Sequence, residues 1–161
     1  MQKKILISAC LLGKQCRYNG KDSLVQQLQD MDVEWIPVCP EEEGGLGTPR
    51  KPAELLGSAQ DIVEGNAAVI TNTGEYVSRK FISGAKGCID IGLKAGVTFA
   101  VLKSRSPSCG TEKVYDGSFK NRLIDGEGIF SYLCRQNGIL TLSSEKFLKG
   151  ISTKNMEKVT D

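Results

Sequence analysis

Short apolar, β-branched runs, three of which lead into a cysteine at a glycine- or proline-marked turn, constrain this chain more than any other feature. The runs are residues 4–9, 33–38, 97–102 and 139–142. Each has the length of a strand and lacks a polar alternation, the pattern of a strand covered on both faces. Helical spacing fills much of the chain between and after them. Residues 24–31 place Leu24 and Leu28 on one face, with Ser23 as a cap. Residues 73–95 form the longest helix candidate, carrying Val77, Phe81, Cys88 and Ile89, with Gly96 as its stop. Glycines 84 and 87 within it weaken a helix or mark close packing. Residues 128–136 turn Ile129, Phe130 and Leu133 inward, and Ser144 caps a last helix; the polar residues from Thr153 onward are expected to fray.

Strands alternating with helices predict one α/β domain over residues 1–161: a mostly parallel central sheet flanked by helices in Rossmann-like layers. Short insertions interrupt it. Residues 53–56 read as a helical turn, and Gly65-Asn66 as a hairpin turn between 61–64 and 67–71. Asp116-Gly117 signals a hairpin within 113–119. Residues 41–52, rich in glycine and proline, read as a long functional loop.

Cys10, Cys39 and Cys109 each fall at or just beyond the end of a predicted strand. Parallel strands carry all three to one edge of the sheet, the edge where open α/β sheets bind ligands. Three convergent thiolates suit zinc or an iron–sulfur cluster, against the alternative of ordinary buried thiols. Cys16 follows in the same loop as Cys10 and is a fourth ligand, a neighbouring thiol or a bystander. Cys88 and Cys134 sit on apolar helix faces and read as core residues. No C-x-x-C pair is present, against thioredoxin-like and zinc-knuckle readings.

Composition removes several chemistries. The chain has no histidine, so His general bases, Ser-His and Cys-His pairs and His-ligated zinc are excluded. Acid–base work falls to carboxylates, Lys, Tyr, Cys or water. Lys+Arg is 21 against 19 Asp+Glu, which does not suggest a generic nucleic-acid binder, although local basic patches remain open. No apolar run has the length of a membrane span, and six cysteines without a secretory signal point to free thiols in the cytoplasm.

Glu41, two residues past Cys39, is a candidate general base, with a solvated acidic loop as the alternative. Ser106 and Ser108 flank Pro107 and are candidates for proton relay or for simple turn formation. Arg17, Arg50 and Arg105 lie in the same loop set and suit an anionic or carbonyl-rich ligand. Tyr18 and Tyr115 suit a flat ring or scaffold packing.

These segments together resemble one family. S-A-C-L-L-G-x-x-C-R-Y-N-G at 8–20, V-C-P-E at 38–41, G-G-L-G-T-P-R at 44–50, L-K-x-R-S-P-S-C-G at 102–110 and Y-D-G-S-F at 115–119 are similar to the bacterial thiouracil desulfidases, across essentially the whole chain. The resemblance implies a cytoplasmic enzyme with a [4Fe-4S] cluster on Cys10, Cys39 and Cys109, leaving one iron open. It implies non-redox removal of sulfur from a thiolated base or nucleoside of the thiouracil type, giving the oxo-pyrimidine and hydrosulfide. Glu41 would activate water, and the catalytic serine would fall in S-P-S-C, with Ser106 preferred to Ser108. It also argues against Cys16 as an essential ligand. Glu42-Glu43 depart from the family, where apolar residues are common. The rival functions are a non-catalytic iron–sulfur or metal-binding redox sensor and a cysteine-based sulfur carrier.

Overall fold

The computed structural model describes residues 2–152. Four strands, β1 (Lys4–Ser8), β2 (Glu34–Val38), β5 (Phe99–Leu102) and β8 (Leu140–Ser143), form a sheet in the order β2-β1-β5-β8, every pair parallel. Two antiparallel hairpins stand apart from it. One pairs β3 (Ala53–Leu56) with β4 (Ala68–Thr71), and the other pairs β6 (Lys113–Tyr115) with β7 (Leu123–Asp125). The helices are α1 (Gln26–Gln29), α2 (Pro40–Glu43), α3 (Ala59–Val63), α4 (Ser78–Ala95), α5 (Ile129–Gln136) and α6 (Ser144–Ser152). The expected parallel α/β sheet with hairpin insertions is the fold observed.

The central strands β1 and β5 are buried on both faces while the edge strands β2 and β8 are only partly covered, and side-chain alternation sorts the sheet's residues between two cores. Leu6, Val38, Ala100 and Leu102 pack with Phe81, Ala85, Ile89, Phe130 and Leu133 of α4 and α5. Ile5, Ile7, Phe99 and Val101 pack with Leu28 and Phe147 on the other face. Cys88 and Cys134 lie in the first core, as expected of small apolar residues. Phe147 closes the second, edge-on to Trp35 at 6.2 Å and tilted against Phe99 at 5.9 Å.

Several local expectations are corrected. Residues 53–56 are a strand, not a helical turn. Residues 61–63 belong to α3, so Gly65-Asn66 ends a helix and the true partners of that hairpin are β3 and β4. Four-residue apolar segments carry no period, so pairing with a neighbour rather than propensity decided between strand and helix. α4 begins at Ser78; residues before it are held by a bridge between Ile70 and Tyr76. α1 spans only Gln26–Gln29 and is preceded by Val25 rather than capped by Ser23; Leu24 is exposed while Leu28 is buried. Ser144 is the first residue of α6, and Ser143 Oγ accepts the Lys146 N–H as its cap. The long loop starts with a helical turn, α2, whose proline is preorganised for the first turn. Asp116-Gly117 opens a wider connection between β6 and β7 than a two-residue turn. The expectation for residues from Thr153 onward lies outside the described residues.

Glycines 84 and 44 decide where α2 sits. A Cβ on Gly84 would fall 1.8 Å from the Pro40 carbonyl oxygen, and one on Gly44 would fall 2.1 Å from the Lys80 oxygen. α2 therefore lies backbone-to-backbone on α4, which fixes Cys39 and Glu41 relative to the core.

Candidate active site

Strand order reverses direction about β1 and β5: β2 lies on one side of this pair and β8 on the other. At such a switch point the loops leaving the two central strands diverge and open a crevice. A cavity of about 480 Å³ lies at this edge, lined by Cys10, Cys39 and Cys109 at the carboxyl ends of β1, β2 and β5. Separated by 29 and 70 residues of chain, the three cysteines line one cavity, as parallel strands ending at a shared edge require. All six cysteines are free thiols.

Each ligand candidate is held by a different local device. Cys10 sits in a 3-10 turn, Ala9–Leu12, ended by Gly13 in the left-handed region. Cys39 immediately precedes α2. Cys109 is held by α5: the N–H groups of Ile129 and Phe130 donate to the carbonyls of Pro107 and Ser108 at 2.9 Å. These carbonyls satisfy helix-end donors that would otherwise lack partners. Gly128 permits the approach, since a Cβ there would lie 2.3 Å from the Ser108 carbonyl carbon.

Cys16 lines the same cavity and is buried. Its thiol hydrogen-bonds with those of Cys10 and Cys39. The bond with Cys10, more than burial, pushes the Cys16 thiol up to about 11. The Cys39 thiol is pushed upward by its bond with Cys16 and by burial, and it also donates to the Cys16 carbonyl at 3.8 Å. Burial pushes Cys109 well above its ordinary value, opposed by a hydrogen bond with Ser8. The Ser8 hydroxyl oxygen in turn accepts the Lys103 N–H at 2.9 Å, tying the ends of β1 and β5 together. Ser8 opens the S-A-C segment, but no local signal in the sequence marks it as a partner of the distant Cys109 and Lys103.

Glu41 enters the cavity beside the thiols with a side chain only 16% exposed. Burial raises its carboxyl above the ordinary value, and the Arg50 guanidinium opposes this. Ser106 and Ser108 have different surroundings. Ser106 lines the cavity, and its Oγ accepts the N–H groups of Ser108 and Cys109 at 3.1 and 3.0 Å, so its own proton is left to donate. Ser108 is fully buried. Its Oγ lies near enough to favour ionised Glu41, yet it has no partner in hydrogen-bond geometry. Arg17, Arg105, Tyr18 and Tyr115 also line the cavity.

Among the described residues no three Cys, Asp or Glu side chains converge tightly enough for a single metal ion. A cubane cluster spreads its irons over a wider body than one ion and accepts more separated thiolates. Four free thiols on one cavity, three of them past the ends of sheet strands and with no imidazole available, match the ligands of iron–sulfur clusters. The residues present fit that group.

Fold and site together define a parallel α/β protein with a thiol-lined cavity at the sheet's switch point. The family described as 2-thiouracil desulfurase matches residues 5–146, and the chain belongs to that family. The uncharacterized protein YbbK of Bacillus subtilis (strain 168) is 34% identical over 145 residues, covering 88% of this chain and 96% of YbbK. A solved structure of the [4Fe-4S]-dependent thiouracil desulfidase TudS is similar with a TM-score of 0.82 and 33% identity. The match covers 96% of this chain and 99% of that one. Among the described residues no helix is long and apolar enough to cross a membrane.

Proposed function

We propose that this protein is an iron–sulfur-dependent desulfidase that hydrolyses the thiocarbonyl of a small thiolated pyrimidine without electron transfer. Water replaces sulfur, so thiouracil and water give uracil and hydrogen sulfide, and neither carbon nor sulfur changes oxidation state. The observation that carries this reading is one cavity lined by Cys10, Cys39 and Cys109 together with the buried carboxylate of Glu41.

Cys10, Cys39 and Cys109 would hold a [4Fe-4S] cluster, leaving one iron without a protein ligand. When bound, the cluster supplies a soft Lewis acid for the thiocarbonyl sulfur. Glu41 accepts the proton of the attacking water. Its raised proton affinity suits a base better than an ordinary, strongly acidic carboxyl. Arg50 keeps it anchored at 3.4 Å. Ser106 is fixed through its oxygen by two backbone N–H groups, so its hydroxyl proton can be donated to the reacting group or relayed. Ser108, buried with its Oγ near Glu41, favours the ionised carboxylate. The substrate is a small thiolated base or nucleoside, and six free thiols suit a reducing compartment such as the cytoplasm.

The test is anaerobic reconstitution, quantification of iron and sulfide, and a thiouracil turnover assay on the same sample. Uracil and sulfide should form catalytically, and Glu41→Gln should keep the cluster while losing turnover. A bound cluster without turnover would favour the redox-sensor reading. A metal-free protein accumulating a cysteine persulfide would favour the sulfur carrier.

A further inference from the structure

Three non-glycine residues among those described have left-handed backbone conformations: Arg105 (φ 65°), Phe119 (φ 58°) and Asn121 (φ 56°). All three line the thiol cavity. Such a conformation is tolerable for asparagine but uncommon and costly for a bulky aromatic. Strain of this kind persists only where the surroundings enforce it, and it concentrates at functional sites.

The enforcing contacts are explicit. Glu54 on β3 accepts the N–H groups of Gly117 and Phe119 through one carboxylate oxygen, at 2.9 and 3.1 Å. Asp116 accepts the Ser118 N–H at 2.9 Å. Gly117 (φ 93°) lies so close to β3 that a Cβ would fall 2.8 Å from the Leu55 carbonyl oxygen. The β6–β7 hairpin is thus pinned to the β3–β4 hairpin, and Phe119 in its connection lines the cavity. Nothing in the proton chemistry of Glu41 and Ser106 uses this Y-D-G-S-F segment.

Resting on the function proposed above, we infer that Phe119 is a specificity-determining residue whose ring stacks on the flat face of the substrate base, and that Glu54 is the positioning residue holding it there. Every pyrimidine presents a π-face, and stacking on an aromatic side chain selects planar rings. The wall therefore favours heteroaromatic thiocarbonyls over small aliphatic ones such as thioacetamide.

The experiment uses the cluster-loaded protein and uracil as the binding probe, with thiouracil kinetics alongside. Phe119→Gly relieves the left-handed backbone while removing the ring. Its thermal midpoint should be equal to or above that of the parent, with unchanged iron content. Uracil affinity should fall on the order of tenfold or more, as expected for loss of one stacking partner. KM for thiouracil should rise with a smaller change in kcat, and the preference over thioacetamide should shrink. Phe119→Tyr should restore binding. Glu54→Ala should weaken uracil binding, and Glu54→Gln, which keeps an acceptor oxygen, should rescue it. Unchanged uracil affinity in Phe119→Gly, or a lowered midpoint with normal binding, would overturn the inference and make Phe119 a packing residue. If the parent binds uracil through Phe119 but does not turn over thiouracil, the stacking wall stands and the proposed reaction fails. If the parent binds neither uracil nor thiouracil, both fail.

Discussion

The Nη2 of Arg50 stands 3.4 Å from Glu41 Oε2 and donates to the Cys16 carbonyl at 2.9 Å. One guanidinium thus joins the candidate base to the loop that carries two of the cavity's thiols. Its other terminal nitrogen donates to the Gly47 carbonyl and the Thr48 hydroxyl, while Nε is buried without a partner. The long loop expected from sequence is therefore organised by the side chain of the arginine near its end.

This pairing sets a pH dependence. Burial raises the Glu41 carboxyl, and a base acts only when ionised, so the acid limb of kcat/KM should lie above the ordinary carboxylate range. Activity is lost as pH falls through that raised value. Arg50→Gln removes the charge that opposes burial and should move the limb to still higher pH. A pH–rate profile checks both, and an unmoved limb would separate Arg50 from the base.

Cluster retention should divide the thiols. Cys10→Ala, Cys39→Ala and Cys109→Ala should each lose most bound iron after anaerobic reconstitution. Cys16→Ser should retain it, although Cys16 touches two of the three. Iron and acid-labile sulfide per protein chain are the measurement.

Gly84→Ala should be damaging out of proportion to its single methyl. The new Cβ meets the Pro40 carbonyl oxygen at 1.8 Å, where backbone cannot yield locally, so α2 must lift from α4. Overpacking of this kind costs about 1–3 kcal/mol or more, read from urea denaturation, and it should lower iron content because Cys39 and Glu41 shift. Gly45→Ala meets nothing within 4 Å and carries only the penalty of its positive φ, about 1 kcal/mol. Equal effects of the two would contradict the packing argument.

Phe147→Ala provides the opposite dissociation. Phe147 is fully buried against Trp35 and Phe99 in the core away from α4 and α5. Its truncation should cost about 3–5 kcal/mol of stability. The folded fraction should still bind iron normally, as measured by iron content per folded molecule.

The three cysteine positions and the main sheet strands were legible because each signal is local. An apolar run bounded by turn residues needs no partner to be recognised, and parallel connection carries its end to a shared edge. Glu41 was legible by adjacency to Cys39. The two serines were legible as a pair, but their surroundings were not. Which oxygen accepts two backbone N–H groups and which is buried beside Glu41 depends on α5 docking onto the Pro107 and Ser108 carbonyls.

The sequence by itself determined a parallel α/β layer fold and the thiols that line its edge, because hydrophobic patterning and residue type act over a few neighbours. Tertiary structure alone decided that residues 53–56 are a strand, that Glu54 pins the loop carrying Phe119, and that Arg50 reaches both Glu41 and Cys16. The reason is physical: those choices are settled by contacts between segments far apart in the chain, and no local propensity encodes which carbonyl or N–H a side chain will meet after the sheet has closed.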